Sequence, residues 1–376
     1  MRILVPLLLI VVLLTACQRE VNPIPTASAQ TVETPSQEVD GPDWLPRTRE
    51  GFKVEKWAEV PSARSLAVSP DGKTVFVGSR EGFVHMVSIT EDGPVVVKFQ
   101  ENLNGSNGVC FLGDDFYLGE LERVRKFSPP FQPGAPGEVV LEGLPSERHH
   151  GWRYIKAGPD GRIRIAIGAP CNVCEQEDPR FASICSFTPD GKDFRVEASG
   201  VRNSVGFDWH PETGDFYFTD NGRDMMGDDI PPCELNVMPK GTQTGHYGFP
   251  YLWGDNQPDP QFGEKAPKGV EYLKPLHNFP AHVAPLGCHF PKKEGLLPGE
   301  VLVAQHGSWN RSTPIGYQVV GVDPKAPEQP AEPFLWGFLN EDGTYRGRPV
   351  DVSELPDGKI LVSDDYLGVV WSVTKL

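Results

Sequence analysis

A chain of 376 residues can bury a large core, and its 40 glycines and 38 prolines favour tight turns over long helices. A formal charge of −16 at pH 7 argues against nucleic acid as a partner, because phosphate recognition needs a basic face. The same acidity suits oxygen-ligated cations without marking where one would sit.

In chain order, the first element is Arg2 followed by an apolar run from Ile3 to Leu14 and by Thr15-Ala16-Cys17. The run is short for a membrane span and has the layout of a secretory signal. Leu14-Thr15-Ala16-Cys17 resembles a bacterial lipobox, which implies lipidation at Cys17 and a signal peptide over 1–17. The expected location is the cell envelope, lipid-anchored and outside the cytoplasm. Gln18 favours the outer membrane, facing the periplasm, in a Gram-negative cell. Residues 18–42 are polar, rich in Pro, Thr, Ser and Gln, and read as a flexible tether; 43–376 form the folded domain.

Export colours the other six cysteines, Cys110, Cys171, Cys174, Cys185, Cys233 and Cys288. An even number in an exported chain is most simply a set of disulfides, whose pairing the sequence leaves open. The stretch Cys171-Asn-Val-Cys174-Glu lacks the His of a haem-attachment site, and no second CxxC exists for a zinc ribbon. A disulfide is therefore expected there.

Past residue 43 no long amphipathic helix is predicted. A strand-turn-strand unit recurs instead, at LAVSPDGKTVFVGSREGFVHMV from Leu66, IKAGPDGRIRIAIGA from Ile155 and ICSFTPDGKDFRVEA from Ile184. It returns at FDWHPETGDFYFTD from Phe207 and VDVSELPDGKILVSDDYLGVVWSV from Val350. Apolar residues alternate around a turn in which Pro presets φ and Gly permits a positive one. Short strands in a degenerate repeat predict an all-β, six-bladed β-propeller, with long insertions such as 224–290 as loops on the active face. A β-sandwich is the alternative.

Four clusters carry chemistry. In ERHHGWRY, His149 or His150 has the titration range of a general base, and adjacent residues on a strand face opposite ways. Arg202-Asn203 offers donors for carboxylate and carbonyl oxygens, or a strand-edge salt bridge. Asp220, Asp224, Asp228, Asp229 and Glu234 gather in one irregular stretch, as a hard cation or a solvated acidic loop would have it. His306, Arg311, Arg346 and Arg348 suit a polyanion or a set of salt bridges. The chain has neither a strand-to-helix GxGxxG nor a GxSxG elbow.

Read together, HHGWRYIKAGPDGRIRIAIGAPCNVCE, GVRNSVGFDWHPETGDFYFTDNGRDMMGDDIPPCELN, AHVAPLG, HGSWNRSTPIGY and GRPVDVSELPDGKILVSDD resemble the soluble pyrroloquinoline quinone (PQQ) dependent glucose/sorbosone dehydrogenase family. The likeness spans most of 50–374, with the L-sorbosone dehydrogenase branch the nearer one. It implies a six-bladed propeller with PQQ over the central channel and Ca2+ beside the quinone. His150 would be the catalytic base, and Arg202 and Asn203 would meet the quinone, Arg202 steadying the oxyanion. His306, Arg311, Arg346 and Arg348 would hold the cofactor. Gly222 and Arg223, through their carbonyls, with Asp224, Asp228 and Glu234, would serve the metal. The resemblance implies a sugar or sugar-aldehyde substrate and an external electron acceptor, either a carrier protein or a quinone. Cys233 and Cys288 stand where other residue types are expected, which suggests a bridge between two active-face loops. A metal-dependent lactonase using Glu120 and the acids near Asp220, or a non-catalytic binding propeller, are the competing readings.

Overall fold

The computed structural model describes residues 44–293 and 295–376, and the Cys17 and tether readings lie outside them. Apart from one 3-10 turn at Gly263–Lys265, the described elements are strands. They form a six-bladed β-propeller in which every blade is built on four antiparallel strands.

Blade one runs from Leu66–Val68 to Gly93–Gln100 and blade two from Gly108–Leu112 to Glu138–Glu142. Blade three begins with Ile155–Ala157 and Ile163–Ile167, blade four with Phe207–Trp209 and Phe216–Asp220. Blade five begins with Pro285–His289 and Val301–Gln305, blade six with Pro349–Glu354 and Ile360–Asp364. The sixth takes its outer strand from the other end of the chain, where Phe52–Glu59 pairs antiparallel with Val369–Lys375 and closes the ring. Arg47–Thr48 extends the outer edge of the fifth.

Burial explains which stretches take which place. Second strands pack against neighbouring blades on both faces, so Ile163–Ile167, Val301–Gln305 and Ile360–Asp364 are buried throughout. Outer strands meet water and read Glu-Val-Val-Leu-Glu at 138–142. The core is distributed between blades. Ile184, Phe207 and Phe218 join three to four, whereas Ala304, Phe334 and Val362 join five to six. Each such side chain stabilises the fold by about 1.5–3 kcal/mol relative to exposure. Close to the axis the blades nearly touch: a Cβ on Gly206 would stand 2.2 Å from the Leu286 carbonyl oxygen. Thr219 Oγ1 donates to that same oxygen at 2.7 Å.

The Pro-Asp-Gly turns share one mechanism and one end of the barrel. The Asp carboxylate accepts the N–H two residues on, at Asp71–Lys73, Asp160–Arg162, Asp190–Lys192 and Asp357–Lys359. The opposite end carries the residues just before each first strand and just after each second strand. All four chemical clusters fall there.

Two expectations need correction. The 224–290 stretch is not a single loop, since it contains Cys233–Met238 and His277–Phe279 of blade four and the start of blade five. The Cys233–Cys288 bridge is absent. Both thiols are free and buried inside strands of adjacent blades, within one apolar cluster with Leu235 and Phe279. Cys110 and Cys185 are likewise free and buried together. They act as small apolar side chains, and burial pushes their thiols up, Cys185 to about 12. Cys171–Cys174 is bridged, as the CxxC spacing predicts.

Candidate active site

His150 stands at the entrance to blade three in a left-handed backbone conformation, φ 51°. Gly168, just after the second strand, makes room for it. A Cβ there would meet His150 Cβ at 2.4 Å and Asn203 Oδ1 at 3.1 Å. His150 Nδ1 lies 2.7 Å from the Ala169 carbonyl oxygen, which can only accept. Nδ1 therefore carries the hydrogen in the neutral ring, and Nε2 keeps a free lone pair. Burial first, then Arg202 and His149, push the imidazole down to about 2, so it is neutral at pH 7. His149 and His150 lie in a turn rather than on a strand, and the exposed His149 ring meets His150 edge-on with ring centres 4.1 Å apart.

Arg202 and Asn203 enter blade four beside it. Ala169 N–H donates to the Arg202 carbonyl at 2.8 Å, which ties the two blade mouths together. Asp220, at the end of the second strand, accepts the backbone N–H of Arg202 at 2.8 Å and of Asn203 at 2.6 Å. The Arg202 guanidinium is buried in a polar cage, donating to Asn172 O, Asn172 Oδ1, Asn221 O and Asp224 Oδ2 at 2.8–3.3 Å. The Asn203 amide has no side-chain hydrogen bond among the described residues and lies over Gly168. His150, Arg202 and Asn203 are thus brought to one place.

The acidic stretch is divided. Asp220, Gly222 and Glu234 line a small cavity of about 30 Å³, roofed by Leu252, Trp253 and Asp259. Burial raises both carboxyls above the usual carboxylate range, and Asp220 raises Glu234 further. Arg223 Nε, Asn236 Oδ1 and Trp253 Nε1 are buried there without partners. The two carboxyls are of the type a hard cation takes, whereas the orphaned Arg223 and Trp253 N–H groups are donors and call for an acceptor. The other predicted metal residues go elsewhere. Arg223 pairs with Asp259 at 2.8 Å. Asp224 takes Asn310 at 2.8 Å along with Arg202. Asp228 holds Ser312 N–H at 3.1 Å, and its carbonyl holds Arg311. No three His, Cys, Asp or Glu side chains converge on one point among the described residues.

The fourth cluster also divides. Arg311 ties its loop to Asp228 and Asp229. Arg346 stacks on Trp44 and donates to Asn340 at 2.6 Å. Arg348 donates to the carbonyls of His306 and Gly307 at 3.0 Å. His306 Nε2 meets Asp365 at 2.8 Å, and burial and nearby arginines push that imidazole down to about 3.

Residues that sequence reasoning missed stand at the same strand ends or in the loops just beyond: Asn172, Arg64, Arg80 and Asp365. Their position before a first strand or after a second strand is the signal that would have found them. Glu120 is fully buried but spent on Arg123 and Arg125 at 2.9 and 2.6 Å, which leaves little for a metal. A cavity of about 1240 Å³ lies at the turn end between blades three and four. Its charges are largely paired among themselves, as Lys156–Asp208 and Arg164–Glu197.

The chain is similar to known proteins. Residues 260–375 match the TrAA12-like family model. An uncharacterized protein of Borreliella burgdorferi is 34% identical over 345 residues, covering 86% of this chain and 89% of that one. The holo pyranose dehydrogenase PQQ domain of Coprinopsis cinerea superposes with a TM-score of 0.74 at 19% identity, over 89% of this chain and 98% of its own. Carbohydrate-Active Enzymes Family AA12 of Trichoderma reesei is similar in its iodide structure, with a TM-score of 0.73 and 19% identity, over 91% and 100%. Its calcium structure gives 0.72 at 19% identity, over 88% and 97%.

Proposed function

We infer that this chain, which belongs to one family with the Borreliella burgdorferi protein and carries a TrAA12-like segment, is an oxidoreductase that oxidises a sugar or sugar aldehyde with PQQ and Ca2+. The observation that carries the reading is the neutral His150, its Nδ1–H fixed on Ala169 and its Nε2 lone pair free, beside Arg202 and the unpartnered Asn203 amide.

When bound, PQQ supplies a hydride acceptor and calcium a Lewis acid. The chain supplies the rest. His150 Nε2 takes the proton of the substrate hydroxyl. Arg202, caged and charged, provides positive potential where an oxyanion develops. Asn203 offers a donor and an acceptor free of protein partners. Gly222 and Arg223 through their carbonyls, with Glu234, would hold the ion. Arg348 forms a basic wall with the neutral His306 beside it, and Arg346 and Arg311 brace the loops around it. Aldoses and sorbosone-type aldehydes are the substrates to screen. Electrons then leave to an external carrier or quinone, from a protein exported and anchored through Cys17.

The test is calorimetric titration of metal-stripped protein with PQQ, with and without calcium, followed by a dye-reduction screen. Calcium-dependent PQQ binding is expected, with His150→Ala lowering turnover by ~10²–10⁴-fold while binding persists. Absence of PQQ binding under both conditions, or near-normal turnover in H150A, sinks the reading.

A further inference from the structure

One group at the channel mouth has no hydrogen-bond or ion-pair partner among the described residues. Arg80 follows the second strand of blade one and is exposed, and among the described residues it makes no hydrogen bond or ion pair. Its guanidinium lies 4.4 Å from the ring centre of Trp152, and that of Arg64 lies 5.5 Å from the same ring. Arg64 is buried and already spoken for, with Nη1 on Asp365 at 2.5 Å and Nε on Asn107 at 2.8 Å. The remaining Asp365 oxygen takes His306. Asp365 is therefore committed, and Arg80 stands beside a second arginine with only the longer-range attraction of Asp365 and Glu81. The charge of Arg64 first, then burial and the charge of Arg348, pull its guanidinium down to about 9. In a chain with 51 acidic and 35 basic residues, leaving this cation unpaired is not for want of acids.

Trp152 fixes where this happens. It lies two residues past His150 and packs on Val205, Leu286 and Val350, which stand at the entrances to blades four, five and six. Its indole therefore lies beside the entrances of these three blades, two residues along the chain from the candidate base. An exposed guanidinium on an aromatic plane is a fork for a carboxylate.

We propose that Arg80, backed by Arg64 and laid on Trp152, receives a carboxylate at the channel mouth, so that the substrate is an acidic sugar of the uronic acid class. This deepens the sugar-oxidation reading and rests on it for the chemistry, though not for the binding. A carboxylate could come from the substrate or from the cofactor, and the experiment separates the two.

Sodium D-glucuronate and D-glucose are titrated calorimetrically into wild type, Arg80→Gln and Arg80→Lys, with and without PQQ and calcium, and PQQ is titrated into the same proteins. Wild type should prefer glucuronate by ~10-fold or more, the scale of one charge-assisted pair. R80Q should lose that preference, R80K should keep part of it, and PQQ affinity should stay within ~2-fold. Equal affinities in wild type, or an unchanged preference in R80Q, overturns the proposal. So does weakened PQQ binding in R80Q with glucuronate unaffected, which would assign the fork to the cofactor. A glucuronate preference lost in R80Q, in a protein that reduces no dye with PQQ, upholds the fork and sinks the dehydrogenase reading.

Discussion

Asp365→Asn removes the one negative charge on which Arg64 and His306 both depend. The Arg64–Asp365 contact is 2.5 Å long, with side chains only 1% and 12% exposed, so solvent does little to screen it. Arg64 would then remain buried between the charges of Arg80 and Arg348, and burial already pulls its guanidinium down. Breaking a buried pair from one side costs about 3–5 kcal/mol. A domain of roughly 330 residues at ~2.1 cal/mol/K per residue unfolds with an entropy near 0.7 kcal/mol/K, so Tm should fall by about 4–7 °C. Scanning calorimetry at a fixed scan rate reads this directly. The partners hold Asp365 well below the usual carboxylate range, so its contribution is fully present above pH ~4 and fades as pH falls further. The gap between wild type and D365N should narrow in step. The double variant Arg64→Met/Asp365→Leu should recover most of the loss, because it leaves no orphaned charge. A loss under ~1 kcal/mol in D365N, or a double variant as unstable as the single, would refute the account of this cluster.

Three further outcomes are expected. Asp220 and Glu234 have raised pKa values in the fold, so without a cation they favour folding below pH ~4 and that contribution is lost as pH rises. Added calcium should therefore raise Tm more at pH 8 than at pH 5, and Glu234→Gln should abolish most of the rise; a pH-independent or absent calcium effect counts against a cation there. His150 and His306 behave oppositely. Both imidazoles are depressed, to about 2 and about 3, so stability should fall as pH drops from ~6.5 toward 3, and His306→Asn should flatten part of that slope in acid unfolding. Finally, native unreduced protein should leave Cys110, Cys185, Cys233 and Cys288 untouched by a thiol reagent, and denaturant should release all four. A silent Cys233 or Cys288 after denaturation would restore the bridge.

What could be read ahead of the structure was whatever repeats locally. Alternation around Pro-Asp-Gly located strands such as Ile163–Ile167 and Ile360–Asp364 and the closed ring they imply, since turn chemistry and strand burial act within a dozen residues. The convergence of His150 with Arg202-Asn203 followed from their shared position at strand entrances. What stayed hidden depends on blades far apart in sequence. Arg64 meets Asp365 across 301 residues, and nothing local distinguishes a spent arginine from the free one at 80. The cysteines failed differently, because a thiol inside a strand of a crowded core reads the same as one on a loop until packing is known. Within the acidic stretch, composition identified carboxylates but not their partners. Asp228 serves Arg311 and Ser312, while Glu234 looks inward.

The closure of blade six has a bearing on time as well as on shape. Glu55 and Ser372 are ladder neighbours 317 residues apart, so the strand made early must wait unpaired while nearly the whole domain is synthesised. Its alternating pattern of buried and exposed residues leaves a half-greasy edge throughout that interval, open to pairing with another chain. Completion is therefore an all-or-nothing event set by the last seven-residue strand, Val369–Lys375. Until that strand is in place, Phe52–Glu59 offers its edge to other chains, and this is the interval in which the domain is most open to aggregation.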